Sequence, residues 1–502
     1  MVNLYLFAVG GTGARCLETI LYMAAAGLYV GQAETIRVLR IDPDEYNGNG
    51  KKATAVAERY GKLRSWLHDK RMEGAGDFLQ TPVEISSWCP VPGIDDEKLR
   101  GLCYQNGTLD TEAEALLGLF YTKDEEKLST LNKGYCAHPS IGATMMRAIQ
   151  LQQSAKDEDP YTAFKRKIQA DVNANLEVAV LVVGSLFGGT GASAFPMLAR
   201  DVRSLGEQHI KLGAIMMLPY FSIEEPKRKV DQQIEKIDSK NFQPAAASAL
   251  RYYCQYCENL FDVTYLFGSP IKLSVEYKET AGEQYNEPTI VDLEAAQGVH
   301  HFLLSSTASS EKPYIKGIVM EDEKLKYGWN DMQYGADKVR RLLYFSLFYV
   351  NSFMPEVYKS SKAKKAPLFF QRHIRTYDEG IQRELADVYQ FCERLLWLFN
   401  RMHEHEFAQT SFAKKAQWAQ LMENVTDGDV FAQGYLVSPE AIACQKVFVK
   451  SGKNVLEGNG GYQSVNAVYS IINEIAAEAN RDVSSARLIH ELYKSVMKEG
   501  KV

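Results

Sequence analysis

The sequence predicts an α/β fold built on a parallel sheet, followed by a largely helical second region. The sheet is predicted by two apolar runs, within residues 4–14 and 180–193, each of which leads directly into a glycine cluster. A strand that passes through glycines into a helix is typical of the βα unit of a parallel sheet. The helical region is predicted by apolar residues that recur at three- and four-residue spacing from Ile381 to Met402.

The composition is ordinary for a globular protein and shows no bias toward nucleic acid. A length of 502 residues allows two or three domains. With 57 Lys and Arg against 63 Asp and Glu, the formal net charge of −6 gives no overall attraction to nucleic acid or to an anionic membrane. No apolar run reaches transmembrane length and the chain begins with a predicted strand, so we expect a cytoplasmic protein.

The first glycine cluster, Gly10-Gly11-Thr12-Gly13, follows the first predicted strand. Glycines at this point let the N–H groups of a helix N-terminus approach a phosphate closely. Asp42 ends the next predicted strand, where Rossmann enzymes hold the ribose of a dinucleotide. Cys16 occupies the third glycine position of the dinucleotide fingerprint, so that fingerprint is incomplete. A Rossmann-type NAD(P)-dependent enzyme remains an alternative at this stage.

The second cluster, Gly188-Gly189-Thr190-Gly191, repeats the same four residues and continues into Ala192 and Ser193. Gly184 and Gly189 have the separation of a P-loop, but Thr190-Gly191 stands where Lys-Ser/Thr is required. Without that lysine the P-loop mechanism has no phosphate cation. The glycines still let main-chain N–H groups approach a phosphate, and the Thr190 hydroxyl adds one side-chain donor.

The segment Phe187-Gly188-Gly189-Thr190-Gly191-Ala192-Ser193 resembles the signature of the tubulin/FtsZ superfamily of GTPases. Four other segments resemble loops of this family in the same chain order. They are Gly10-Gly11-Thr12-Gly13 for the first phosphate loop, Ile41-Asp42-Pro43-Asp44 for the second, Ala137-His138-Pro139-Ser140-Ile141-Gly142 for the third, and Leu218-Pro219-Tyr220-Phe221 with Glu224 and Arg228 for the ribose loop. The resemblance is to divergent bacterial tubulin-like proteins more than to division proteins.

This resemblance implies a Rossmann-like GTPase domain at residues 1–310, which contains a central helix and binds GTP or GDP. By the same resemblance, backbone dipoles and Mg²⁺ would compensate the phosphate charge in place of a lysine, with Asp42 and Asp44 as the candidate metal ligands. It also implies an insertion at about residues 49–133, and residues 311–502 would form a mainly helical second domain. The central helix is predicted to begin near Pro288. Because the family reads guanine with an asparagine near this point, Asn286 is the candidate base-reading residue. The alternative is that Asn286 only caps the helix.

Members of the family hydrolyse GTP with an acidic loop that one protomer inserts into the pocket of the next. Asn330, Asp331 and Asp337 are the candidate catalytic residues here, although Asn330 and Asp331 are adjacent and Tyr334 stands where a second acid is expected. The resemblance thus implies a GTPase that assembles head to tail into filaments or oligomers. A protein partner on the insertion or the helical region is a further expectation. A nucleotide-binding scaffold that does not hydrolyse GTP remains the other alternative.

Overall fold

The computed structural model describes most of the chain. The described residues are 1–44, 47–68, 77–90, 99–105, 108–121, 135, 138–153, 159–206, 209–223, 239–257, 260–269, 273–275, 285–305, 320–321, 324–325, 331–361, 365–374, 379–405, 465–477 and 484–496. They form two compact units. The sheet unit comprises Met1–Ile20, Gly31–Ala57 and Val83–Tyr314, and the helical unit comprises Leu21–Val30, Glu58–Pro82 and Ile315–Val502.

The sheet unit is built on a sheet of six parallel strands. They are β1 (Val2–Val9), β2 (Ala33–Ile41), β3 (Val83–Trp88), β4 (Val178–Ser185), β5 (Ile210–Met217) and β6 (Val263–Phe267). Their order across the sheet is β3-β2-β1-β4-β5-β6, and every neighbouring pair is parallel. The chain therefore builds outward in one direction from β1 and in the opposite direction from β4. Ligands of such sheets bind at this reversal, outside the carboxyl ends of the two central strands.

Eight helices begin within the described residues of the sheet unit. They are α1 (Gly10–Ala25), α2 (Gly48–Leu67), α3 (Thr111–Phe120), α4 (Pro139–Gln153), α5 (Pro160–Asn173), α6 (Gly189–Gly206), α7 (Phe242–Tyr256) and α8 (Ile290–Leu304). Every residue of β4 is buried, whereas β6, at the sheet edge, alternates between half-buried and exposed positions. A fully buried, apolar strand is what a parallel sheet covered on both faces requires.

The predicted fold class is confirmed: a parallel α/β sheet precedes a largely helical region. The strand predicted at residues 83–88 is present as β3, and it pairs with β2. The stretch 49–133 therefore supplies a strand of the main sheet as well as most of α2. The central helix is present as α8, but Asn286 is not its cap. The helix begins at Ile290, and its cap is Thr289, in a capping box with Asp292.

The described part of the helical unit is dominated by helices. They are α9 (Ala336–Phe348), α10 (Met354–Ser361), α11 (Leu368–His373), α12 (Glu379–His405), α13 (Val465–Ala477) and α14 (Ser485–Ser495), with a π-helical turn at Tyr349–Phe353 between α9 and α10. The amphipathic helix predicted around residues 381–402 is α12, and the residues of its apolar stripe from Leu385 to Phe399 are buried. Among the described helices, none is both long enough and apolar enough to cross a membrane.

Candidate functional site

An open cleft of about 820 Å³ lies in the sheet unit at the carboxyl ends of β1 and β4. We call Gly10–Gly13 the first turn and Gly188–Gly191 the second turn. Ten of the predicted binding residues line the cleft: Gly10, Gly11, Thr12, Asp42, Asp44, Gly188, Gly189, Thr190, Gly191 and Asn286.

The two glycine turns meet in this cleft. Gly10 has a left-handed backbone with φ +67°, which takes the chain from β1 directly into α1. A Cβ built on Gly10 would lie 3.5 Å from Cβ of Thr190. The N-termini of α1 and α6 therefore open into one space, with their N–H groups and the positive ends of both helix dipoles. This arrangement favours an anionic ligand.

The last glycine of each turn brings its helix close to a strand. A Cβ on Gly13 would lie 2.6 Å from the carbonyl oxygen of Val183, and one on Gly191 would lie 2.4 Å from that of Ser185. These distances are too short for any side chain, so both positions require glycine. Although Gly13 was among the predicted binding residues, the structure places its Cα against β4.

The predicted third loop lies beside the second turn. A Cβ on Gly142, in the first turn of α4, would lie 3.0 Å from the carbonyl oxygen of Gly189. Tyr135 lines the cleft, and its carbonyl oxygen accepts a bond from the His138 N–H at 2.7 Å. Tyr135 is not predicted from the sequence, because nothing local to it indicates a ligand.

Six more predicted binding residues are described but do not line the cleft: His138, Pro139, Ser140, Ala192, Ser193 and Pro219. The Ser193 hydroxyl, for example, donates to the carbonyl oxygen of Thr190 at 2.9 Å within α6. Ala137, Glu224, Arg228 and Asn330 lie outside the described residues.

Asp42 supplies an acidic group at the end of β2, where it is 4% exposed. Its Oδ1 accepts a bond from the Asp44 N–H at 3.0 Å, and its buried Oδ2 has no hydrogen-bond partner among the described residues. Burial raises the pKa of Asp42 to about 7. A buried oxygen without a partner fits a ligand hydroxyl or a water of a bound cation.

Asp42 and Asp44 match the number of carboxylates that a protein usually supplies to a Mg²⁺ bound with a nucleotide. The described residues contain no group of three or more His, Cys, Asp or Glu that could hold a metal. Mg²⁺ bound with a nucleotide commonly takes only one or two carboxylates, together with phosphate oxygens and waters. Two carboxylates beside the two glycine turns are therefore compatible with Mg²⁺.

Behind the cleft wall, a buried ion pair holds α1 to α8. Arg15 Nε lies 3.1 Å from Asp292 Oδ1, and the two side chains are 2% and 0% exposed. Arg15 Nη2 also donates to the Tyr220 hydroxyl, which itself donates to Asp292 Oδ1 at 2.5 Å. Burial disfavours the charged guanidinium, but Asp292 and Tyr220 outweigh it and raise the pKa of Arg15. Asp292 is thus committed to this network, and Arg15 reaches the cleft with its charge already compensated.

Three asparagines lie together at one side of the cleft. Asn47 caps α2: its Oδ1 accepts bonds from the N–H groups of Asn49 at 2.9 Å and Gly50 at 3.2 Å. Asn49 Oδ1 accepts a bond from the Asn286 N–H at 3.0 Å. All three asparagines line the cleft. Asn286 is predicted from the sequence but Asn47 and Asn49 are not, although Asn47-Gly48-Asn49-Gly50 carries the signal of an asparagine cap.

Aromatic rings form another part of the cleft wall. Phe187, Phe221 and Phe242 all line it, and each is less than 10% exposed. The ring centroid of Phe187 lies 5.4 Å from that of Phe221 and 4.7 Å from that of Phe242. This part of the wall is apolar, and its rings pack against one another.

The predicted catalytic residues that are described belong to the helical unit. Asp337 lies in the first turn of α9, and its side chain is 63% exposed. Its Oδ1 is 3.5 Å from Nη1 of Arg340, one turn further along the helix. Asp331 is partly buried, four residues before the left-handed Gly335 that caps α9.

Comparison with known proteins found no matching protein family and no matching curated protein. Two solved structures that match are a CetZ from Methanosaeta thermophila strain DSM 6194 and CetZ2 from Haloferax volcanii, the latter described as a GTPγS-bound protofilament. The first is 14% identical, covers 60% of this chain and 54% of its own, and has a TM-score of 0.28. The second is 15% identical, covers 60% and 58%, and has a TM-score of 0.29. The matches thus span less than two thirds of either protein, and at these TM-scores they alone decide neither family nor function.

Proposed function

We propose that the cleft binds GTP and GDP, with the phosphates held between the first and second turns. The observation that carries the proposal is the approach of Gly10 to Thr190, which directs two helix N-termini into one space. A single such N-terminus already forms an anion site. Two that converge are suited to a chain of phosphates, and the five-segment resemblance to the tubulin/FtsZ superfamily supports a guanine nucleotide.

The proposed phosphate site relies on the backbone rather than on a side-chain cation. No lysine is among the described residues that line the cleft, and the one arginine there, Arg15, is paired with Asp292. The N–H groups of both turns and the hydroxyls of Thr12 and Thr190 would hold the phosphates. A bound Mg²⁺ would supply the charge that a P-loop lysine supplies elsewhere, with Asp42 and Asp44 as its protein-side contacts.

The base would occupy the side of the cleft where α8 begins. Asn286 lines the cleft there and is 7% exposed. A carboxamide can donate and accept, so it can bind the edge of guanine, which presents both a donor and an acceptor. We propose Asn286 as the base-reading residue.

Hydrolysis and assembly form the second part of the proposal. Asn330, Asp331 and Asp337 would complete the cleft of a neighbouring protomer, where a carboxylate would orient the attacking water. A head-to-tail contact of this kind joins two different surfaces, so it extends into filaments unless it closes into a ring. The GTPase rate per protomer should then rise with protein concentration.

Nucleotide analysis of the purified chain, together with calorimetric titration of the nucleotide-free protein, tests the first part. We expect bound GTP or GDP and a 1:1 titration with GTP that is much tighter than with ATP or NAD⁺. Binding of NAD⁺ in preference to GTP would overturn the proposal. Sedimentation with and without GTP tests assembly, and a rate per protomer that stays constant on dilution would contradict a shared active site.

A further inference from the structure

The capping interaction of α2 fixes the direction of the Asn47 side chain. Only the oxygen of a carboxamide can accept hydrogen bonds from backbone N–H groups. Because the Asn47 Oδ1 accepts from Asn49 at 2.9 Å and Gly50 at 3.2 Å, the Nδ2 group must occupy the other branch. The first N–H groups of α2 are thereby satisfied by Asn47 and are not offered to a ligand.

Asn49 is oriented in the same way by a different partner. Its Oδ1 accepts the Asn286 N–H at 3.0 Å, so its Nδ2 also lies on the opposite branch. Asn49 is only 7% exposed, and its Nδ2 has no acceptor among the described residues. An amide donor that no described protein group uses, on a side chain that lines the cleft, is available to a ligand or to water.

Both amide nitrogens lie beside the first turn. A Cβ built on Gly11 would lie 2.9 Å from Asn47 Nδ2 and 3.4 Å from Asn49 Nδ2. Gly11 is the second residue of α1. The backbone N–H groups at the start of a helix have no partner within the helix. Two side-chain donors therefore stand next to a set of main-chain donors, and all of these residues line the cleft.

We infer that Asn47 and Asn49 form a carboxamide clamp that donates to a phosphate group bound at the N-terminus of α1. The inference rests on the proposed nucleotide site and assigns two further binding residues to it. Several donors that converge require an acceptor with several lone pairs, which a phosphate provides and a single base carbonyl does not. The clamp supplies neutral donors where neither glycine turn has a lysine.

Asn47→Asp and Asn49→Asp test the clamp because they keep the structural bond of each side chain. An aspartate still caps α2 at position 47 and still accepts the Asn286 N–H at position 49. In each case, however, a carboxylate oxygen replaces the amide donor that faces the phosphate. Asn473→Asp is the matched control. Asn473 Oδ1 also accepts a backbone N–H, that of Phe369 at 3.1 Å, and Asn473 does not line the cleft.

The full chain is titrated with GTP by calorimetry, and inorganic triphosphate is used as a competitor. We expect each clamp variant to bind GTP at least tenfold more weakly than the wild type, and the inhibition constant of triphosphate to rise in parallel. The Asn473→Asp variant should bind both as the wild type does. Thermal melts of the three variants within a few degrees of the wild type would show that folding is intact.

Other results separate the clamp from the nucleotide site itself. Wild-type GTP affinity in both clamp variants would overturn the clamp and leave the proposed function standing. The clamp would also be wrong if GTP binding weakened while triphosphate competed as well as before, or if triphosphate did not compete with GTP on the wild type. Absence of GTP binding by the wild type would instead overturn the proposed function.

Discussion

The two glycine turns have the same four residues but build their helices differently. In the first turn the helix begins at the first glycine, Gly10, whose left-handed backbone leaves β1 without an intervening loop. In the second turn, three residues follow β4 before the helix begins at Gly189. The last glycine packs its helix against a strand in both turns. The last glycine therefore has the same packing role in both turns. The residues that precede it differ between the turns in backbone conformation and in the residues they contact.

The supports of the two turns also differ. α1 is held from behind by the buried pair Arg15–Asp292. α6 is held by an uncharged contact, in which the Tyr253 hydroxyl donates to the carbonyl oxygen of Ala192. A buried charge depends on its partner far more than a neutral hydrogen bond does. The first turn should therefore be the more sensitive of the two to a change behind the cleft.

Asp292→Asn should cause the largest loss. It leaves the guanidinium of Arg15 buried without a counter-charge, which costs about 3–5 kcal/mol in comparable cases. Tyr253→Phe removes one neutral bond behind the second turn and should cost about 1 kcal/mol. Urea denaturation of the full chain measures both free energies of unfolding. Equal losses for the two variants would contradict the difference between the supports.

Asp42→Asn should change how stability depends on pH. Burial raises the pKa of Asp42 from 3.8 to about 7, so the folded chain binds its proton more tightly than the unfolded chain does. The contribution of Asp42 to stability is complete below about pH 4 and is lost as pH rises to 7, at about 1.4 kcal/mol for each unit between the two pKa values. The asparagine variant should lose this slope and be the more stable protein at pH 8.

Denaturation curves at pH 5, 6, 7 and 8 give the change in the free energy of unfolding with pH for each protein. Asp337→Asn, which removes a carboxylate that is 63% exposed, reports the effect of losing a surface charge. If Asp42→Asn kept the wild-type slope, Asp42 would not be the buried acid beside the first turn.

Gly13→Ala and Gly191→Ala test the shared packing role of the last glycine. Each added Cβ would meet a backbone carbonyl oxygen at 2.6 or 2.4 Å, and overpacking of this kind costs about 1–3 kcal/mol. Gly61→Ala in α2 is the matched control because a Cβ there has nothing within 4 Å. It should stabilise the chain by about 0.5–1 kcal/mol through helix propensity. Thermal melts of the three variants give the comparison, and a mild Gly191→Ala would break the parallel between the turns.

Gly10→Ala and Gly188→Ala should show the smallest and most local difference. At Gly10 the space is sufficient, but φ +67° strains any other residue by about 1–2 kcal/mol. At Gly188 a Cβ would meet only the hydroxyl of Ser185, at 2.7 Å. We therefore expect the larger loss of melting temperature from Gly10→Ala. The reverse order would argue against the tight first turn.

Features coded by neighbouring residues could be predicted from the sequence. The apolar runs, the glycine turns and the apolar stripe of α12 can each be recognised from a short stretch of consecutive residues. The cap of α8 also has a local signal, Thr289 followed three residues later by Asp292. Pro288 favoured Asn286 as the cap, but Pro288 lies before the cap and outside the first helical turn.

Features that join distant segments could not be predicted in this way. Arg15 and Asp292 are 277 positions apart, and Asn49 and Asn286 are 237 apart. Their contacts exist only because the sheet order brings α1, α2 and α8 to one cleft. The sequence identified the two glycine turns that meet at the cleft, but it did not reveal Asn47, Asn49 or the Arg15–Asp292 pair beside them.

A structure determined with a non-hydrolysable GTP analogue tests the central claim most directly. The account predicts one nucleotide whose phosphate oxygens accept hydrogen bonds from main-chain N–H groups of both turns, from Gly11 or Thr12 and from Gly189 or Thr190. Phosphates held by one turn alone, with the other turn out of hydrogen-bond reach, would contradict it.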